Sequence, residues 1–300
     1  MNKIMVIINP KAGDESSGNL KLDIVEHLKQ YFEQIIVKET GKQGEAELFA
    51  EEACLDQYEA ICSVGGDGTV NEIFRGLFKY EQRPKIAIIP GGTGNILSRL
   101  IGVSVLKHRA IKSFDFERSK LIDVGVCNGR VFNLFASIGP VSDAMHEVSS
   151  EEKKKLGLFA YIKSSIENLA NSEVYQVEIE TDAGTYTGNV DHVVISLSNR
   201  LGDLKFTEEN KSLSNGKANV FILKNNQILP RLSTFTNVLL GQVERTDEIE
   251  HFIASKIKIK SLDEKEILVD LDGEEGPTLP VEIEILQQQI EVYLPATYKE

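Results

Sequence analysis

The sequence predicts an α/β domain followed by a mainly antiparallel β domain, and three observations carry that prediction. The chain has 300 residues, 41% of them apolar, whereas domains usually run to about 100 to 200 residues. Over roughly the first 110 residues, short β-branched runs alternate with longer amphipathic ones, the pattern of a parallel sheet with outer helices. After about residue 115 the texture changes to successive strand-like stretches.

In the first part, Lys3 to Asn9 reads as a strand, Leu20 to Phe32 as a helix, Ile35 to Lys38 as a strand and Glu45 to Cys54 as a helix. Ala60 to Val64, Val70 to Phe78, Lys85 to Ile89 and Ile96 to Ile101 continue the alternation. In the second part, strands are expected at Lys120 to Cys127, Val131 to Ser137, Val174 to Thr181, Tyr186 to Leu197 and Ala218 to Leu223. Others follow at Ile257 to Lys260, Ile267 to Leu271, Val281 to Ile285 and Ile290 to Leu294, with helices near Lys153 to Asn171 and Ile228 to Leu240. The boundary is placed near Asn128 or Gly129, giving domains of 1–128 and 129–286, with residues from about 287 to 300 able to return to the first.

Composition narrows the function. A net charge of −13, from 33 Lys plus Arg against 46 Asp plus Glu, offers no broad field for nucleic acid. It would also repel an anionic membrane, so a membrane contact needs a local basic patch or an apolar edge. Cys54, Cys62 and Cys127 stand far apart, which argues against a disulfide framework or a zinc site. The apolar run Ile4 to Ile8 is too short for a signal peptide, and no run approaches the roughly 20 apolar residues of a membrane span. A cytoplasmic location is expected.

Two glycine-rich turns carry the chemistry. Ala60–Val64 runs into Gly65-Gly66-Asp67-Gly68-Thr69 and then into helical spacing from Val70. Glycines permit positive φ and remove side chains where phosphates come close. Thr69 and Glu72 fit a capping box, and spare N–H groups at a helix start favour phosphate. The construction repeats where Lys85–Ile89 enters Pro90-Gly91-Gly92-Thr93-Gly94-Asn95. In a parallel sheet both turns lie at the carboxyl edge of their strands, where doubly wound folds bind ligands. Neither turn fits GxGxxG and no GxxxxGK[ST] occurs, which argues against a dinucleotide dehydrogenase and a P-loop NTPase.

Five segments in order resemble the diacylglycerol-kinase catalytic family, which also covers sphingoid-base kinases and bacterial lipid kinases. They are Asn9-Pro10-Lys11-Ala12-Gly13, Val64 to Glu72, Pro90 to Asn95, Ile122-Asp123-Val124-Gly125 and Leu271-Asp272-Gly273-Glu274. The resemblance implies an N-terminal nucleotide-binding domain like that of NAD kinases and diacylglycerol kinases, a C-terminal β-sandwich-like domain, and ATP bound in the cleft between them. By position, Asn9, Lys11, Gly65, Gly66, Asp67, Gly68, Thr69, Glu72, Gly92, Thr93 and Asn95 would surround the nucleotide. Asp272 matches the family's general base, Glu274 would sit beside it, and Asp123 would organise Mg2+ through water. Phosphoryl transfer needs little beyond positioning, charge neutralisation and a base. Magnesium, which keeps waters, needs only a few carboxylates besides the phosphates. In isolation, Asp270 to Glu275 reads instead as a solvated acidic turn.

The pattern departs from the family at two places. Many glycerolipid-kinase relatives carry Asp straight after the second turn's Asn, where this chain has Ile96, a change that sphingoid-type relatives tolerate. Ser214-Asn215-Gly216 stands where bacterial members often have an Asp-Gly segment holding a structural cation, and no tightly held ion is expected there. Lys153, Lys154 and Lys155 precede the apolar stretch Leu156 to Tyr161 and read either as a membrane contact or as a solvated helix start beside Glu151 and Glu152. The expected activity is phosphorylation of a long-chain lipid hydroxyl by a protein peripherally bound to the membrane. An NAD-kinase-like kinase of a soluble substrate and a nucleotide-binding regulatory protein remain alternatives. A lipid at a membrane surface and a second copy of the chain are the partners admitted.

Overall fold

The computed structural model describes residues 2–10, 17–139, 174–201, 204–205, 207, 212–225 and 249–298. The chain divides into two compact units, Met1–Ile122 with Gln288–Glu300, and Asp123–Gln287. The division falls inside a strand rather than at the Asn128–Gly129 turn, which forms a hairpin within the second unit.

The first unit begins with β1 (Lys3–Ile8), α1 (Ser17–Leu28), β2 (Gln34–Glu39), α2 (Glu45–Leu55), β3 (Ala60–Gly65) and α3 (Asp67–Phe78). β4 (Lys85–Pro90), α4 (Ile96–Leu100) and α5 (Lys107–Ser113) follow. The strands lie parallel in the order β4-β3-β1-β2. Ile4 to Ile7 and Ala60 to Cys62 are fully buried, as befits central parallel strands covered on both faces. β2 alternates exposed and partly buried residues because it is the edge. The sequence missed α5, which at seven residues is too short for a periodicity to emerge.

α2 and α3 pack through Gly76. A Cβ there would strike the Glu47 carbonyl and come within 2.9 Å of the Ala50 Cβ. Exchanging a helical Gly for Ala ordinarily stabilises by about 1 kcal/mol. Here overpacking reverses the sign, and Gly76→Ala is expected to destabilise by about 1–3 kcal/mol in urea melts. An unchanged or raised midpoint would mean that the two helices do not approach through this residue.

The chain continues with β5 (Ser119–Cys127), β6 (Arg130–Phe132), β7 (Phe135–Ile138), β8 (Tyr175–Thr181) and β9 (Gly184–Ser196). The short β10 (Arg200–Leu201) and β11 (Leu204–Lys205) form a separate pair. Then come β12 (Ala218–Lys224), β13 (Ile249–Ala254), β14 (Lys256–Ser261), β15 (Leu268–Leu271), β16 (Glu274–Thr278) and β17 (Val281–Tyr293). Pairings within the second unit are antiparallel: β16-β15-β7-β9-β8-β14 in order, then the start of β17 on β14, with β12 joining β9 to β13. Alternate residues such as Val177, Ile179, Val193, Ile195, Ile257 and Ile259 build its core. At the other end of β17, in the first unit, Val292 pairs with Ile86.

Two strand readings need correction. Val131 to Ser137 is not one strand but β6 and β7, broken at Asn133–Leu134, whose N–H groups turn to a side chain. The stretches expected at Val281 to Ile285 and Ile290 to Leu294 are one strand, β17, which ends at Tyr293 and passes through Gln288 at a left-handed φ of 55°. The helices expected at 153–171 and 228–240 lie outside the described residues. Among the described residues, no helix is long and apolar enough to cross a membrane.

Candidate active site

β3 and β4 end side by side, Gly65 level with Pro90, so both glycine turns leave the same edge of the sheet. Gly91 N–H donates to the Gly65 carbonyl at 2.7 Å. A Cβ on Gly92 would come within 2.7 Å of the Gly66 Cα, so bare backbone is what allows the turns to touch. The carboxylate of Asp67 closes the contact: Oδ1 accepts the Ile96 N–H at 2.7 Å. Burial pushes the Asp67 pKa above the usual carboxylate value, while N–H groups of Ile96, Asn95 and Leu97 pull it down. Asp67 therefore caps α4, a helix whose own N-cap Asn95 makes no side-chain cap bond. The Asn95 side chain is turned to Gly92 instead. Its Oδ1 accepts the Gly92 N–H at 2.8 Å and its Nδ2 donates to the Gly92 carbonyl at 2.6 Å, locking the second turn.

The capping-box expectation is overturned. α3 starts at Asp67, two residues before Thr69, so Thr69 lies within the first turn and caps nothing. Its Oγ1 accepts a hydrogen bond from Asn9 Nδ2 at 3.3 Å, and the Asn9 N–H donates to the Val64 carbonyl, bringing the end of β1 beside the first turn. Glu72 serves another helix: its carboxylate accepts the Ala46 N–H at 3.1 Å in the first turn of α2, whose N-cap Gly44 has no side chain to offer.

The positive φ that glycine permits is not used here, since none of Gly65, Gly66 and Gly68 adopts it. Gly65 is crowded by the Thr69 side chain, and Gly66 by Gly92. Gly68 is exposed, sits in the first turn of α3, and has no atom of the described residues within 4 Å of where a Cβ would stand. Neither backbone conformation nor packing accounts for a glycine at that position.

Asp272 sits between β15 and β16 at a left-handed φ of 55°. Its Oδ2 accepts the Asn133 N–H at 2.6 Å, and its Oδ1 accepts those of Leu134 and Phe135 at 2.9 and 2.8 Å. Those backbone groups were missed in the sequence, because amide groups leave no mark on residue identity. Burial pushes the Asp272 pKa up to about 7, against the downward pull of the three N–H groups and with help from the charge of Asp270. Asp270 is buried, its Oδ1 accepting the Gly273 N–H, so the segment is a built turn rather than a solvated acidic run. Glu274 opens β16, and Leu271 pairs with it.

Asp123 and the 214–216 segment, read separately in the sequence, meet in the second unit. The Gly216 N–H donates to Asp123 Oδ2 at 2.7 Å, and the Asp123 N–H donates to the Leu213 carbonyl. Asn215 Oδ1 accepts the Lys217 N–H. Among the described residues, no group of three or more His, Cys, Asp or Glu side chains is placed to hold a metal. Ile96 is buried, its side chain in the core while its N–H meets Asp67. Thr93 is exposed on the second turn. Lys11 and the cluster Lys153, Lys154 and Lys155 lie outside the described residues.

Residues 3–127 match the diacylglycerol kinase catalytic domain, and residues 137–294 match the YegS C-terminal NAD kinase beta sandwich-like domain. A provisionally named lipid kinase of Streptococcus pneumoniae serotype 4 is 40% identical, covering 98% of both chains. A diacylglycerol kinase of Bacillus subtilis is 28% identical over 98% of this chain and 97% of its own. A crystal structure of a provisionally named diacylglycerol kinase from Bacillus anthracis matches with a TM-score of 0.86 and 33% identity over 99% of each chain. The family matches, together with relatives named diacylglycerol kinase, make the chain a kinase. The chain belongs to the diacylglycerol kinase family and is, at the level of that family, a lipid kinase.

Proposed function

We propose that the chain transfers the γ-phosphoryl group of Mg-ATP to the hydroxyl of diacylglycerol or a related long-chain lipid at a membrane surface. The observation that carries the nucleotide half is Gly68. A glycine in a helix costs about 1 kcal/mol relative to Ala, and this one has no use for its freedom and, among the described residues, no neighbour to accommodate. The open space above the first turn of α3 is the space a phosphate needs beside a helix start. Gly66, Gly68 and Thr69 would line it, while Asp67 ties the first turn to the second and Asn95 braces the second through the bonds they already make. Magnesium arriving with the nucleotide would draw off the charge that develops on the phosphates. Such an ion keeps most of its waters and needs one or two carboxylates at most.

Asp272 would take the proton of the acceptor hydroxyl. A carboxylate whose pKa is raised to about 7 is half deprotonated at neutral pH and is a far stronger base than an ordinary aspartate. Its three amide bonds fix the plane of the carboxylate, so no reorganisation is needed at the moment of transfer. Transfer from labelled ATP to a panel of lipids in mixed micelles tests this reading. Label is expected in an organic-soluble product with diacylglycerol or another long-chain alcohol. Label in water-soluble products alone would exclude a lipid acceptor.

A further inference from the structure

We propose that Val105 to Lys112 forms a docking surface for an anionic lipid bilayer. The purpose of the surface rests on the lipid-acceptor reading, but the observations behind it do not. From Ile96 to Phe114 the sequence carries Arg99, Lys107, His108, Arg109 and Lys112 and not one Asp or Glu, in a chain whose net charge is −13. A stretch free of acid in so acidic a protein is the local patch that membrane attraction would require.

The fold sorts this stretch into an inner and an outer side. Ala110 and Ile111 are fully buried on the side of α5 that packs toward α1 and β4. His108, Arg109 and Lys112 are exposed. Within α5, Lys112 stands four residues after His108 and three after Arg109, so these side chains share one helix face, and Val105 and Leu106 precede it. Val105 and Leu106 are 47% and 46% exposed, and the Leu106 N–H donates to Ser104 Oγ at 3.3 Å, setting the pair at a turn. Large apolar side chains beside cations are the combination that enters a lipid interface.

Two of these charges also differ from others in the same unit. Lys21 pairs with Glu39, Lys38 with Glu52, and Lys79 with both Glu47 and Glu51. Arg109 and Lys112 have no ion-pair partner among the described residues. A nucleic acid would use those cations but would have no need of Val105 and Leu106, so the apolar pair favours a bilayer.

The test uses the full chain and co-sedimentation with phosphatidylcholine vesicles, with and without phosphatidylglycerol. The wild type is expected to prefer the anionic vesicles, most strongly at low salt. Arg109→Glu with Lys112→Glu should weaken that binding by roughly thirty-fold or more, from about fivefold per lost cation and added repulsion. Val105→Ser with Leu106→Ser should weaken it at every salt concentration. Both doubles should melt with the wild type, since all four side chains are at the surface. Sedimentation needs no turnover, so absence of lipid phosphorylation would defeat the acceptor reading while leaving the docking surface testable. The proposal is overturned if the wild type ignores anionic vesicles, if both doubles bind like the wild type, or if the charge double loses only binding to an oligonucleotide. It is equally overturned if binding survives in both doubles and disappears when Lys153, Lys154 and Lys155 become Glu.

Discussion

Asp272→Asn is expected to lower phosphoryl transfer by roughly 10² to 10⁴-fold, the usual contribution of a positioned general base. The change is less conservative than its shape implies. Asp272 presents two acceptor oxygens to three N–H groups, and Asn must turn its amide nitrogen toward at least one of them. Leaving one of these donors unmet costs about 1–3 kcal/mol, so the variant should melt earlier and its fold should be verified by circular dichroism. The rate should be compared at saturating ATP. A folded variant that keeps half of the wild-type turnover would remove Asp272 from the chemistry.

The same residue sets a pH dependence that a merely structural aspartate would not. The base must be deprotonated to act, so wild-type transfer should rise about tenfold per pH unit below its pKa and level off above about 7. Stability runs the other way. With a folded pKa of about 7 against the ordinary aspartate value of 3.8, the folded chain holds a proton that the unfolded chain has released between those values. This group's contribution to stability is therefore present at low pH and lost as the pH rises through about 7. A flat rate profile from pH 5 to 8, with ATP binding constant, would show that another group takes the proton.

The parts of the site legible in the sequence are those where a strand, a turn and a helix follow one another within about fifteen residues. Both glycine turns fall in that class, and alternating periodicity found most of the strands. What stayed hidden depends on partners far apart in the chain. Asp67 reads as a polar residue of its own loop, yet its work is to cap a helix 29 residues later. Thr69 and Glu72 satisfy a local capping rule, but Gly66 already precedes the helix, and the two side chains bond to Asn9 and Ala46 instead. Asp123 and Gly216 are 93 residues apart and only the fold of the second unit joins them. Asn133 and Leu134 sit inside a strand-like run, and nothing in their side chains signals that their amides leave the ladder to hold Asp272.

Gly68→Val should separate ligand binding from folding more cleanly than any change at the neighbouring glycines. At Gly66 a new Cβ would lie 3.1 Å from the Gly92 Cα, and at Gly65 it would strike Thr69, so loss of binding there could follow from distortion. At Gly68 there is no such neighbour and no left-handed φ to violate. The protein alone should therefore tolerate the substitution, and its melting temperature should hold or rise as the helix loses a glycine. A nucleotide phosphate resting over that turn would meet the branched side chain directly. Overpacking of about 1–3 kcal/mol corresponds to roughly 5- to 150-fold weaker ATP binding by calorimetry. Gly68→Ala should fall between the two, since a single methyl intrudes less. Unchanged ATP affinity in a folded Gly68→Val protein would mean that the space above the first turn of α3 holds no phosphate, and the nucleotide would have to be sought elsewhere in the unit.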